Sequence, residues 1–285
     1  MEPQRKFHYG RVLVAALVIT TALVVLVYGS QWSESAEADR YGVIERDGKR
    51  LLWGGEDERQ HFDIKRFDLK PQGLSYGVGR EHFPALVAPE FVPAQQADFV
   101  KDDWEVVVVN LNDEVRVYPI PVMTLNEAVN DTIGETAICV VYCAQAHLAA
   151  AYLRSDGDRT RTFAVSGYTY ADPKVWDGRN AFVLWDRETE SLWWPPIGKA
   201  VSGPSRGLAM PLLDPAHWAQ TTWGAVRDRY PDAQVLTLYQ SPDPDTLPGK
   251  SETTVLAAQT APRPEETDAA PRWGENDALE GSGAG

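Results

Sequence analysis

The chain has 285 residues, 44% of them hydrophobic, and a formal net charge of -14. An acidic surface repels phosphate backbones, so nucleic acid is excluded as an expected partner. Only two cysteines occur, Cys139 and Cys143, too few for a small scaffold stapled by disulfides.

Residues 12–28 (VLVAALVITTALVVLVY) carry no charge. About 17 to 20 helical residues at roughly 1.5 Å each cross the hydrocarbon layer, so residues 12–29 are expected to form one transmembrane anchor. Arg5, Lys6 and Arg11 precede the run, and Glu34, Glu37 and Asp39 follow it. Positive charge stays on the cytoplasmic side, which puts residues 1–11 inside and the rest of the chain in the extracytoplasmic space. A cleaved signal peptide is the competing reading, with Ala36-Glu37-Ala38 resembling a cleavage site. Residues 30–40 read as a polar linker.

Residues 41–240 then read as one domain. Residues 105–111 (EVVVVNL) are apolar and β-branched, and 114–120 (EVRVYPI) alternate, with Asn112-Asp113 placed where a tight hairpin turn belongs. Residues 136–142 read as a buried strand. Residues 148–154 and 161–166 flank the turn signal SDGD, and 181–186 with 191–194 suggest another hairpin. A helix is expected over 123–129, where Leu125 and Val129 stand at i, i+4. A second is expected over 221–230, with Thr221 or Thr222 as N-cap and Pro231 beyond its end. The fold class is mainly β (α+β), an antiparallel β-rich single domain with two or three short helices, preceded by one transmembrane helix. Residues 241–285 hold nine acids against three bases and no sustained apolar period, the composition of a disordered acidic tail.

Several short strings share an order and spacing. They are Gly79-Arg80-Glu81-His82-Phe83-Pro84-Ala85-Leu86, Pro89-Glu90-Phe91, Asn126-Glu127-Ala128-Val129-Asn130-Asp131, Val141-Tyr142-Cys143 and Val165-Ser166-Gly167. Downstream come the run from Trp185-Asp186-Arg187 through Thr189 to Ser191-Leu192-Trp193, then Gly198 to Gly203, and Tyr230-Pro231. Together they resemble the domain-of-unknown-function family 3179, over most of 82–236. That family usually has His-Glu where this chain has Asn126-Glu127, and Tyr-Cys-Pro-Leu-Cys where it has Tyr142-Cys143-Ala144-Gln145-Ala146. The resemblance implies a diverged member that lacks one His and one Cys of the usual strings.

Three clusters are candidates for chemistry. Cys139, Cys143 and His147 are soft and borderline ligands suited to copper or zinc, or the two thiols form a disulfide; the plain alternative is a buried Cys139 and a free Cys143. Joint ligation needs a bend or loop after Tyr142, because four strand residues span roughly 13 Å. Glu127 and Asp131 share a face if the segment is helical, and paired carboxylates suit acid–base catalysis; alternatively Asn130-Asp131 ends the helix. Asn126, Asn130, Asp186, Arg187 and Trp194 are the candidate binding residues, with Asp186 able to pair with Arg187 or Arg179. Ser166 lacks a nucleophile context. Of the adjacent Trp193 and Trp194, strand geometry sends one into the core and the other into a second layer or to the surface, where aromatic faces stack on saccharides. The leading functional expectation is a membrane-anchored envelope binding or accessory module whose partner is an envelope protein or a saccharide. A metal or thiol-redox protein and an envelope enzyme are the alternatives.

Overall fold

The computed structural model describes residues 42–157, 159–175 and 180–238. The expected anchor, linker and acidic tail, and Arg179, lie outside them. Among the described residues no helix is long and apolar enough to cross a membrane.

The strands run, in chain order, β1 (Val43–Arg46), β2 (Lys49–Leu52), β3 (Phe62–Asp63), β4 (Leu74–Tyr76), β5 (Leu86–Val87), β6 (Phe91–Pro93), β7 (Glu105–Leu111) and β8 (Glu114–Pro119). After helix α1 (Ile120–Met123) come β9 (Ala128–Ile133), β10 (Thr136–Cys143), β11 (Leu148–Leu153), β12 (Ser155–Asp156), β13 (Arg159–Thr160), β14 (Phe163–Tyr170), β15 (Ala181–Asp186), β16 (Leu192–Trp194) and β17 (Lys199–Ala200). Strand β18 (Trp218–Thr222), helix α2 (Trp223–Arg227) and β19 (Gln234–Leu236) close the series. The large sheets have the orders β11-β10-β9-β5, β17-β16-β15-β14-β4 and β18-β7-β8-β19-β6. Pairing is antiparallel except for β19 on β8 and β5 on β9. The domain is therefore β-rich with few short helices, as expected.

The β11-β10-β9-β5 sheet lies between the other two. Every residue of β10 from Ile138 to Cys143 is buried, which alternation permits only if both faces are covered. On one face Asp131 reaches Tyr118 of β8. On the other, Asn130 bonds Phe163 at the start of β14, and the Tyr152 hydroxyl donates to the Pro195 carbonyl beyond β16. The β7–β8 sheet also has two covered faces. Val107, Val109 and Tyr118 join the main core, whereas Val106, Val117 and Val235 pack under Trp223 and Val226 of α2 in a second one. A four-valine run suits a strand that serves two cores.

Both expected helices are corrected. The first ends at Met123, where the Thr124 N–H bonds back to Ile120. Glu127 then takes a left-handed φ of 58° and turns the chain into β9. The apolar spacing that suggested a helix also fits a strand, and pairing of Ala128–Ile133 with β10, through β-branched Val129, Thr132 and Ile133, decides between them. The second helix covers only Trp223–Arg227. Thr221 belongs to β18, and Thr222 occupies the N-cap without a side-chain bond.

Candidate functional site

Three of the candidate residues, Glu127, Cys143 and His147, gather where β10 ends. The β10–β11 hairpin turns through Ala144–His147, with His147 at φ 50°. This returns the imidazole to its own strand, where Nδ1 lies 2.8 Å from the Tyr142 hydroxyl. Its Nε2 lies 3.2 Å from Glu105 Oε2, and the other Glu105 oxygen accepts from Gln220 Nε2. With a carboxylate at Nε2, the neutral ring carries its proton there, and Nδ1 accepts from Tyr142. Burial pushes the Tyr142 phenol up, and the charge of Glu105 adds to it, so the hydroxyl keeps its proton. Glu105 and Tyr142 were not among the candidates, because only the four-residue hairpin loop brings positions 142, 147 and 105 together.

Glu127 stands opposite Tyr142, whose N–H donates to the Glu127 carbonyl. Among the described residues its carboxyl has no hydrogen-bond or ion-pair partner, and burial alone raises it from 4.5 to about 7. Cys143 is 2% exposed. Burial and the neighbouring Glu127 charge push its thiol up to about 11, against backbone bonds from Ala146, Phe182 and Gln145. Such a thiol is neutral at physiological pH and a poor nucleophile.

The other candidates are dispersed. Cys139 is fully buried opposite Asn130, and burial pushes it up to about 12. Both cysteines are free. They are four residues apart on one continuous strand, roughly 13 Å, beyond the roughly 7 Å that a disulfide spans. Among the described residues no three His, Cys, Asp or Glu groups are placed to hold a metal ion; Cys139 and Cys143 lie along β10, and the chain turns only after Cys143, at Ala144–His147.

Asp131 and Glu127 do not share a helical face, because Glu127 turns the chain with φ 58° and Asp131 lies on strand β9. Asp131 is consumed by Tyr118 (2.7 Å), the Thr132 N–H and an ion pair with Arg116 at 3.3 Å. Burial raises its carboxyl, and these partners oppose the rise. Asn130 is fully buried and ties β9 to Phe163 and Leu86, while Asn126 donates to the Pro84 carbonyl.

The proposed Asp186 pairing with Arg187 is overturned within the described residues. Asp186 is fully buried and accepts from the Thr189 N–H, the Thr189 hydroxyl and Trp193 Nε1. Arg187 reaches across the chain to Glu81, 2.9 Å away. Trp193 and Trp194 are both buried, edge-on to Phe163 and Tyr170 respectively. The sheet is covered on both faces there, so neither ring offers a stacking surface. Ser166-Gly167 forms a β-bulge in β14, where the Ser166 hydroxyl donates to the Val183 carbonyl.

The motif strings coincide with one family. A family model described as "Protein of unknown function (DUF3179)" matches residues 80–246. The chain belongs to this family. No curated protein and no solved structure matches it. Two of the strings have visible structural work in this member. Val129-Asn130-Asp131 stitches the central sheet to its neighbours, and Asp186 through Trp193 closes the β15–β16 hairpin around a buried carboxylate.

Proposed function

We propose that the chain is a membrane-tethered extracytoplasmic DUF3179 domain that acts as a binding or accessory module of the cell envelope. The observation that carries the module reading is the internal consumption of the motif's polar groups. Asn130, Asp131 and Asp186 each spend their hydrogen-bonding capacity on neighbouring strands or turns, which favours a rigid scaffold over a turnover site. The tether rests on the uncharged run at residues 12–28 and the asymmetric charges around it. Envelope proteins and saccharides are the partner classes that this location supplies. Alkaline carbonate extraction of membranes tests the tether: the full chain should remain in the pellet, and a chain lacking residues 12–28 should be soluble. Release of the full chain by carbonate would overturn the tether.

A second reading is favoured by Glu127. A partner-free carboxyl raised to about 7 by burial, on a residue with positive φ, has the properties of a general acid or base at neutral pH. On this reading, hydrolysis of activated esters or glycosides by the full chain would vanish in Glu127→Gln. Hydrolysis unchanged in that variant would discard the role.

A further inference from the structure

A cleft of about 730 Å³ opens beside the short β12–β13 hairpin, lined by Asp156, Arg159, Thr160, Arg161 and Leu208. None of these residues belongs to the Glu127 cluster. The side chain of Arg161 is 4% exposed. Its guanidinium carbon lies 5.2 Å from the centroid of Trp193, a ring fixed by the bond from its Nε1 to Asp186. The backbone of Arg161 is pinned as well, through its N–H to the Arg154 carbonyl and its carbonyl to Arg154 Nη1.

This positioned cation is poorly neutralised. Among the described residues its ion-pair partner is Asp156, 3.4 Å away on a side chain that is 57% exposed. Its Nε is buried and has no hydrogen-bond partner. A buried guanidinium normally meets a carboxylate in a close, often bidentate pair, and leaving one short of partners is costly. Arg159 adds a second, exposed guanidinium to the same cleft, in a protein whose net charge is -14. Leu208, 42% exposed, supplies an apolar wall.

We infer that this cleft binds a small oxyanion, a carboxylate or a phosphate, carried by a ligand whose apolar part rests on Leu208. Arg161 is the buried anchor and Arg159 the outer contact. Asp156 is an internal competitor that the ligand displaces. The inference concerns a different site from Glu127 and holds whether or not the chain is tethered.

Calorimetric titration of the full chain in non-ionic detergent tests it, with inorganic phosphate, acetate, hexyl phosphate and hexanoate as probes. At least one oxyanion should bind saturably, with its hexyl-bearing form tighter than its bare form. Replacing buried Arg161 risks the fold, so the variants are at exposed positions. Asp156→Asn should tighten binding roughly 2- to 5-fold and Arg159→Gln should weaken it by a similar factor, the scale of a partly exposed charge pair. No saturable binding below about 20 mM would overturn the proposal. Binding that ignores both variants would equally overturn it.

Discussion

Replacing Glu127 by Gln removes one charge and keeps the shape of the side chain. The folded protein holds the Glu127 proton to about 7, against an ordinary value of 4.5, because burial opposes ionisation. A folded-state value above the unfolded one means that the associated stability is fully present below 4.5 and is lost as pH rises through about 7. The difference corresponds to about 3 kcal/mol by pH 8, at about 1.4 kcal/mol for each tenfold step in proton affinity. Gln cannot ionise. Glu127→Gln should therefore match the parent near pH 4 and exceed it by about 3 kcal/mol at pH 8, roughly 6–12 °C in melting temperature for a domain of this size. Scanning calorimetry of both proteins from pH 4 to 8 measures the gap, and taking the difference cancels the other titrating groups. Parallel stability curves with no gap opening between pH 4.5 and 8 would refute the reasoning.

Gly167 has φ 87°, and a Cβ there would lie 1.9 Å from the Val78 carbonyl oxygen; Gly167→Ala should lose more than about 3 kcal/mol in chemical denaturation or fail to fold. Asp186→Ala leaves Trp193 Nε1 and the Thr189 N–H without their acceptor and should cost about 3 to 5 kcal/mol by the same measurement, with a smaller loss counting against its placement. Both thiols are buried and not joined in a disulfide, so Ellman titration should find almost none in the native protein and two after denaturation; one or none after denaturation would mean that a disulfide or modification exists. Asp131→Asn keeps the side-chain shape, but its amide puts an NH2 donor in place of one of the two oxygens that accept from the Tyr118 hydroxyl and the Thr132 N–H, and it unpairs Arg116 in part; it should cost about 1 to 3 kcal/mol, read from denaturant midpoints.

Local chemistry made some elements legible in the sequence. The β7–β8 hairpin was readable because Asn112-Asp113 tolerates the positive φ of 54° and 61° that the turn needs. Residues 105–111 and 181–186 coincide with β7 and β15. Elements decided by distant partners were not legible. Residues 123–129 satisfy a helical and a strand period at once, and only pairing with β10 chooses. Gly167 reads as a strand end, yet it is a bulge, and β14 runs on to Tyr170.

The same division applies to the candidate site. Glu127, Cys143 and His147 were identifiable by residue type. Their grouping depends on the β10–β11 turn, which brings in Tyr142 and Glu105 and leaves Cys139 behind. Asp131 was identifiable as a carboxylate, but Tyr118, which claims it, lies in another sheet. Arg161 carried no local signal, since what marks it is Trp193, more than thirty positions away in the chain.

The proposed tether decides where the domain acts and which partner classes it can meet. A reporter enzyme that matures only outside the cytoplasm, fused after residue 285 of the full chain and produced in bacterial cells, reads its orientation directly. The account predicts an active reporter in intact cells, sedimenting with the membranes. An inactive reporter on a full-length fusion, or an active one recovered free of membrane, would contradict it.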